Sequence, residues 1–323
     1  MLRNYLVIAI RNLRKQKLFT LINVFGLAIG VTCCMILGFY IHHEWRYDRH
    51  YPNAENIYRV VRENIDEAGN RTVISETSGA LIQLFRNDIP GIRNSVRLIN
   101  PPFTSSKIWM GTNTHIFKQR LCRAEPEILN VFDIELVRGN RQTALTTPNG
   151  LLITESVAQK YFGEADPIGK AVWAENDGQE NYIITGVLKE LPKTSMLQFD
   201  FLTSNVTGAH KRMLDQWRIG FGWMPIDTYV VLETTAQPED IEHQLLSLVP
   251  QYAGDEVRGK IRHHLQPIVR AHLFVITRKG TFAASMWPPY SVVSSCCLQA
   301  SISSTSRQRV QPCEPKRWAC EKS

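Results

Sequence analysis

Formal charge is missing from Leu18 to Ile41, LFTLINVFGLAIGVTCCMILGFYI, and acidic residues are missing from everything before it. The first absence excludes a helix with one face in water. At about 1.5 Å per residue the stretch reaches roughly 36 Å as a helix, enough to cross a hydrocarbon core of about 30 Å with some tilt. The second absence sets direction: Arg3, Arg11, Arg14, Lys15 and Lys17 form an unopposed positive flank, which stays on the cytoplasmic side. Residues 1–17 are therefore expected inside and the bulk of the chain outside. Past Ile41 no apolar run approaches the length of a second span.

Cysteine is scarce where a disulfide would matter. Between His42 and Ser295 the only one is Cys122, so no internal disulfide holds the outer region and its stability must come from a hydrophobic core. No CxxC pair occurs, which removes the usual zinc frameworks. GxxxxGK[ST] is absent and so is GxSxG, leaving no nucleotide cradle and no nucleophile elbow. The net charge of +7 comes from the inner flank and the C-terminal end, and the central region is near balance. It lacks the continuous basic face that nucleic acid would require. These absences point away from catalysis, cofactors and metals, and toward a membrane-anchored α+β domain.

The anchor is expected to remain uncleaved. Its apolar run exceeds a signal-peptide core, no small-x-small site follows it, and Cys33 matches an acylated cysteine only loosely. In front of it Leu2, Leu6, Ala9 and Leu13 recur at helical spacing, reading as an amphipathic helix in the inner interface. Within the span Gly26 and Gly30 form a GxxxG, compatible with close approach of another helix.

The outer part alternates short strands and helices. Strands are expected at Ile57–Val61, Arg71–Ser75, Ile92–Asn100, Ile116–Leu121, Ile134–Val137, Asn181–Leu188, Thr228–Glu233 and Val257–Pro267. A hairpin turn falls at Asp66–Asn70, and helices at Thr77–Ile89, Glu127–Phe132 and Pro238–Leu248. Asn149–Lys170 is the best-organised stretch: an apolar strand, a helix with Val157, Ala158, Tyr161 and Phe162 on one face, Gly163 as its stop, and the turn ADPIG. Thr154 stands where a cap belongs. Breaks fall at Pro101-Pro102 and at LPKTS, Leu191–Ser195. His42, His43 and His50, with Glu44 and Asp48, fit no ligand spacing and read with Trp45 and Tyr47 as juxtamembrane anchoring. His263 and His264, adjacent on a strand, face opposite sides.

Four blocks, RNLRKQKLFTLINVFGLAIG, YDRHYPNAENIYRV, LLITESVAQKYFGEADPIGK and YIITGVLKELPKTSMLQFDFL, resemble in order and spacing the membrane subunits of ABC transporters of the MacB/FtsX-like permease family, with the Bacteroidetes type most similar. The resemblance covers roughly residues 1–275. It implies a transmembrane helix over 18–41 and a MacB-like periplasmic core domain with mixed α/β subdomains over 42–275. It also implies a cytoplasmic ABC ATPase subunit as partner, the only place for ATP, a second permease subunit as dimer partner, and a bacterial inner membrane around the helix. By the same resemblance Tyr47, Asp48, Tyr58 and Arg59 are structural positions where the domain leaves the helix, and Gly163, Pro167, Gly169 and Lys170 shape a domain turn.

The chain departs from the family after residue 275. A full member enters three further membrane helices there, whereas the last thirty-nine residues hold four of the seven cysteines and nine serines, and Ser291–Leu298 is too short and polar to span. Residues 276–323 are read as an atypical tail, out of frame or disordered. The expectation is a permease subunit that couples ATP hydrolysis to export of a peptide, lipoprotein or drug-like substrate, defective as written. The alternative is a single-span, membrane-anchored periplasmic binding or adaptor protein.

Overall fold

A computed structural model of the chain describes residues 11, 15, 17–99, 107–112, 115–175, 179–204, 226–254 and 257–271. The tail expected over 276–323 and most of the leading segment lie outside them. The first half holds helix α1 (Lys17–Trp45), a 3-10 turn (Ala54–Asn56), β1 (Ile57–Ile65), β2 (Arg71–Ile74), α2 (Leu81–Asn87), β3 (Ile92–Ile99), β4 (Ile108–Gly111), β5 (Ile116–Gln119), β6 (Leu121–Ala124), α3 (Ile128–Val131) and β7 (Leu136–Gly139). Then come β8 (Gly150–Thr154), α4 (Glu155–Phe162), β9 (Ala171–Glu175), β10 (Gln179–Leu188), β11 (Phe201–Ser204), β12 (Ile226–Leu232), α5 (Pro238–Ala253), β13 (Ile261–Pro267) and α6 (Ile268–Ala271).

Among the described residues α1 alone is long and apolar enough to cross a membrane, over Thr20–Trp45. Its side chains stand clear of the rest of the chain, Leu27 being 70% exposed and Phe39 74%. An apolar helix that buries nothing in protein needs lipid for its surroundings.

The strands form one mixed sheet in the order β13-β1-β12-β3-β6-β11-β8-β10-β9-β4-β5, with β2 added beside β1 and β7 beside β10. Among the described strands only β8/β10 and β6/β11 pair in parallel. Alternation along each strand sends neighbouring residues to opposite faces. In β12, Tyr229 and Val231 enter a central cluster with Leu98, Phe132, Leu152 and Leu202. Val230 and Leu232 enter a second cluster under α2 and α5, with Leu81, Phe85, Ile241 and Leu245. The far half has its own cluster, where Val157 and Tyr161 of α4 pack on Ile153, Val172 and Phe201.

The expected α2 begins late, at Leu81, because Thr77 is drawn into the sheet: its N–H donates to Ile226 O at 2.8 Å and its hydroxyl lies 2.8 Å from that of Thr228. Ile116–Leu121 divides into β5 and β6, and β4 and β11 are short strands that sequence reasoning left unassigned. Thr154 occupies the N-cap of α4 with extended backbone, but its hydroxyl contacts Ser156 Oγ at 3.1 Å instead of capping. Glu190 takes that role from a distance, accepting the Ser156 N–H at 3.3 Å.

Gly139 and Gly69 both have positive φ, +100° and +82°, but a Cβ at Gly139 would lie 2.6 Å from Thr185 O while one at Gly69 would meet open space. Gly139→Ala is therefore expected to lower the thermal unfolding midpoint of the detergent-solubilised chain more than Gly69→Ala does. Leu152→Ala, at a fully buried position, should cost about 2–5 kcal/mol. Circular-dichroism melting of the three variants checks both statements.

Candidate functional site at the membrane-proximal junction

The chain leaves α1 by a tightening turn, with the Arg46 and Tyr47 N–H groups donating to His43 O and Glu44 O, each at 3.2 Å. Trp45 is 69% exposed at the helix end, and the Arg49 guanidinium lies 5.2 Å from the centre of its ring. An amphipathic aromatic with a cation beside it suits the headgroup level. Tyr47 sits half-buried, edge-on to His43 at 5.9 Å.

Asp48 is the next residue and is fully buried. Its φ of +53° is a left-handed conformation, which aspartate tolerates better than most residues. In that conformation its N–H donates to Thr194 O at 2.9 Å and its Oδ1 accepts the Met196 N–H at 2.8 Å. One residue thus ties both backbone directions of a loop that lies far away in sequence. The loop is shaped for this: Pro192 starts a turn closed by Ser195 N–H to Pro192 O at 2.9 Å, and Gln198 Nε2 donates across it to Pro192 O at 2.8 Å.

Ser195 continues the connection inward. Its hydroxyl lies 2.6 Å from Tyr51 Oη and accepts the Leu197 N–H at 3.0 Å. The Tyr51 ring packs on Phe132 at 5.3 Å, and Phe132 on Tyr229 at 5.2 Å in an edge-to-face arrangement. Tyr229 is paired across β1/β12 with Arg59, whose Nη2 donates to Gln266 Oε1 of β13 at 2.7 Å. A continuous line of packed groups therefore runs from the end of α1 to the β12-β1-β13 edge of the sheet.

This line is unusually rich in buried ionisable groups. Burial pushes the Asp48 carboxyl up to about 7, against the opposing effects of the Met196 N–H, Ser195 and Arg59. Asp227, on β12 in the same layer, is also pushed to about 7 by burial, with Arg59 pulling it down and Glu76 adding to the rise. Burial likewise raises the Tyr51 and Tyr229 phenols, so both remain neutral.

Of the positions singled out from sequence, the structure brings Asp48 and Arg59 into this one layer. Tyr47 stays at its rim. Tyr58 faces the opposite side of β1, against the cluster under α5. Gly163, Pro167, Gly169 and Lys170 lie in the other half, in the turn between α4 and β9. There the Gly163 N–H closes α4 on Gln159 O at 3.0 Å, and Gly169 and Lys170 exchange backbone bonds with Ile184 at 2.8 and 3.0 Å. The Lys170 ammonium stands 4.8 Å from the Phe162 ring centre. Gly26 and Gly30 have nothing within 4 Å of where a Cβ would sit. Sequence reasoning missed Ser195, Tyr51 and Asp227. The one available signal was an acid on the strand Ile226–Leu232, whose every residue is buried. Among the described residues no group of three or more His, Cys, Asp and Glu is placed to hold a metal ion.

The profile of the MacB-like periplasmic core domain family matches residues 20–248, from within the membrane helix into α5. The chain belongs to the MacB-like periplasmic core domain family. A solved domain of a protein described as a permease, from Porphyromonas gingivalis, is 26% identical with a TM-score of 0.55, covering 67% of this chain and 92% of that one. The periplasmic region of MacB from Actinobacillus actinomycetemcomitans is 13% identical with a TM-score of 0.46, covering 70% of this chain and 95% of that one. The extracellular domain of the noncanonic ABC-type transporter YknZ from Gram-positive bacteria gives 15% and 0.46, covering 65% of this chain and 100% of that one. No curated protein matches the chain. Family membership makes this a non-catalytic transporter component of the inner membrane, with α1 crossing the bilayer and the α+β domain on the periplasmic side.

A carboxyl whose folded pKa lies above its unfolded value contributes stability that is complete below the unfolded pKa and lost as pH rises through the folded one. For Asp48 the window runs from the ordinary 3.8 to about 7. The wild-type chain is expected to melt higher at mildly acidic than at mildly alkaline pH. Asp48→Asn, which keeps an oxygen for the Met196 N–H, should flatten part of that dependence, while Asp48→Ala should lower the melting point at every pH by leaving that N–H unmet, a cost of about 1–3 kcal/mol. Melting curves across pH for the three proteins test this.

Proposed function

We propose that this chain is a permease subunit of an ABC transporter, in which the membrane helix and the periplasmic domain move together because Asp48 ties the helix end to the Thr194–Met196 loop. The observation that carries the reading is that tie: two hydrogen bonds of 2.9 and 2.8 Å made by one fully buried residue. Buried and water-excluded, they transmit a displacement of α1 to the sheet instead of letting the turn absorb it. A separate cytoplasmic ATPase subunit would supply the displacement through ATP hydrolysis. A second permease subunit, meeting this one along the face of Gly26 and Gly30, would complete the pair. The substrate class on this reading is a peptide, lipoprotein or drug-like molecule expelled on the periplasmic side.

On the same reading Tyr47, Asp48, Tyr58 and Arg59 form the exit of the domain from the helix, Gly163, Pro167, Gly169 and Lys170 hold a turn within it, the core domain extends to about residue 275, and 276–323 is out of frame. A second reading is a single-span periplasmic binding or adaptor protein, in which α1 serves as the anchor. Translating the surrounding DNA in all three frames separates the two: three apolar spans in another frame support the permease, and their absence supports the adaptor.

The coupling itself is testable in the full chain reconstituted with its ATPase subunit in lipid. Spin labels at Arg11, on the cytoplasmic flank, and at Tyr252, exposed on α5, should report a distance that changes when ATP is added. Asp48→Ala should leave ATP hydrolysis in place and abolish the change at Tyr252. An unaltered distance change in Asp48→Ala would remove the junction from the mechanism.

A further inference from the structure

His264 lies on β13, the terminal strand of the sheet, and its imidazole is held between two carboxylates. Nδ1 is 3.1 Å from Glu242 Oε2 on α5, and Nε2 is 3.3 Å from Glu63 Oε2 on β1. A neutral imidazole has one N–H and one lone pair, so it can donate to only one carboxylate and must turn the lone pair toward the other. Only the imidazolium, with a proton on each nitrogen, satisfies both contacts. The geometry therefore assigns a charge state.

Each carboxylate is itself engaged. Glu242 accepts the Leu265 N–H through Oε1 at 2.7 Å, so one side chain of α5 grips both the backbone of β13 and its histidine. Glu63 uses Oε1 for Arg71 of β2 at 3.4 Å and presents Oε2 to the ring. The two acids sit at opposite nitrogens, so no single cation could be shared among all three groups, which distinguishes the arrangement from a metal site. The neighbouring strand residue, His263, is buried on the other face beside Arg62, and burial and that cation bring it down to about 3, so it stays neutral and takes no part. Arg262 lies two positions before His264 on β13, and His243 follows Glu242 on α5, exposed to solvent.

We propose that His264 is a proton-operated clasp for the edge strand: protonated, it holds β13 to β1 and to α5 together, and on losing its proton it gives up one of the two. The contact with Glu242, then that with Glu63, raises its proton affinity above that of an ordinary histidine. The clasp is therefore closed below the His264 titration and opens as pH rises through it, at a higher pH than for an ordinary histidine, the sign required of a histidine that is more basic folded than unfolded. The periplasm follows external pH, and β13 with α6 is the last described part of the domain. A rise in pH would loosen that strand.

Amide hydrogen exchange of residues 261–267 in the full chain, in lipid nanodiscs and corrected for intrinsic exchange, reads the clasp directly. In the wild type, protection of β13 is expected to fall as pH rises through the His264 titration, by about tenfold for each unit by which its pKa is raised. The strands β8 and β10 should not follow. His264→Gln should remove the step, and Glu242→Gln and Glu63→Gln, which each leave one acid, should shift it to lower pH. These two variants keep the test decisive if His264→Gln does not fold. No step in the wild type, the same step in His264→Gln, or an unshifted step in both glutamate variants would overturn the proposal. A pH response arising at Asp48 would appear in all three variants and not at β13 selectively.

Discussion

One buried aspartate sets how the two parts of this protein can be arranged. A helix that lives in lipid and a sheet that lives in water share no hydrophobic interface, so their relative position must come from the few residues that join them. Asp48 supplies that definition by adopting a left-handed backbone and spending both its N–H and its carboxylate on the Thr194–Met196 loop. Burial makes the tie strict, because an unmet partner there would be costly and water cannot replace it.

The same logic extends through the layer behind it. Arg59 stands among Asp48, Asp227 and Tyr229 and is held by Gln266. A buried ion pair, Arg97 with Glu125 at 2.6 Å, lies on the other face of the sheet, and Arg97 also donates to Gly79 O at 2.8 Å. Buried ion pairs are poor sources of net stability but strongly disfavour alternative pairings, since any slip would strand a charge. In a sheet assembled from many short strands, register is the harder quantity to secure, and these buried charges fall on β1, β12 and β3, three neighbouring strands toward one end of it.

Much of the fold was legible in sequence. Strands with clear alternation, such as β1 and β10, and helices with proline or acids at the start, such as α5, announced themselves. The four-residue strands β4 and β11 did not, because so few residues give no periodicity. α2 was overextended because Thr77 is recruited by a strand about 150 positions later, which no local pattern encodes. The site was half legible. Asp48 and Arg59 stood out through family resemblance, but Ser195 read as part of a plain break, since its meaning depends on Tyr51, 144 residues earlier. His263 and His264 were correctly set on opposite faces by strand geometry, while the two acids that give His264 its character come from other elements.

The position of β1 has a consequence for biogenesis. It is the first strand to follow the anchor, yet its neighbours on the two sides are β12 and β13, paired at Val60 with Thr228 and with Leu265. At ordinary translation speeds the ribosome needs roughly 10–40 s to deliver those partners. Throughout that interval β2 can cover one edge of the Arg62–Ile65 end, while the end of β1 nearest the anchor stays beside the bilayer with both hydrogen-bonding edges open. A nascent chain of this shape must be sheltered, by the membrane surface or by a holdase, until its own far end arrives to close it.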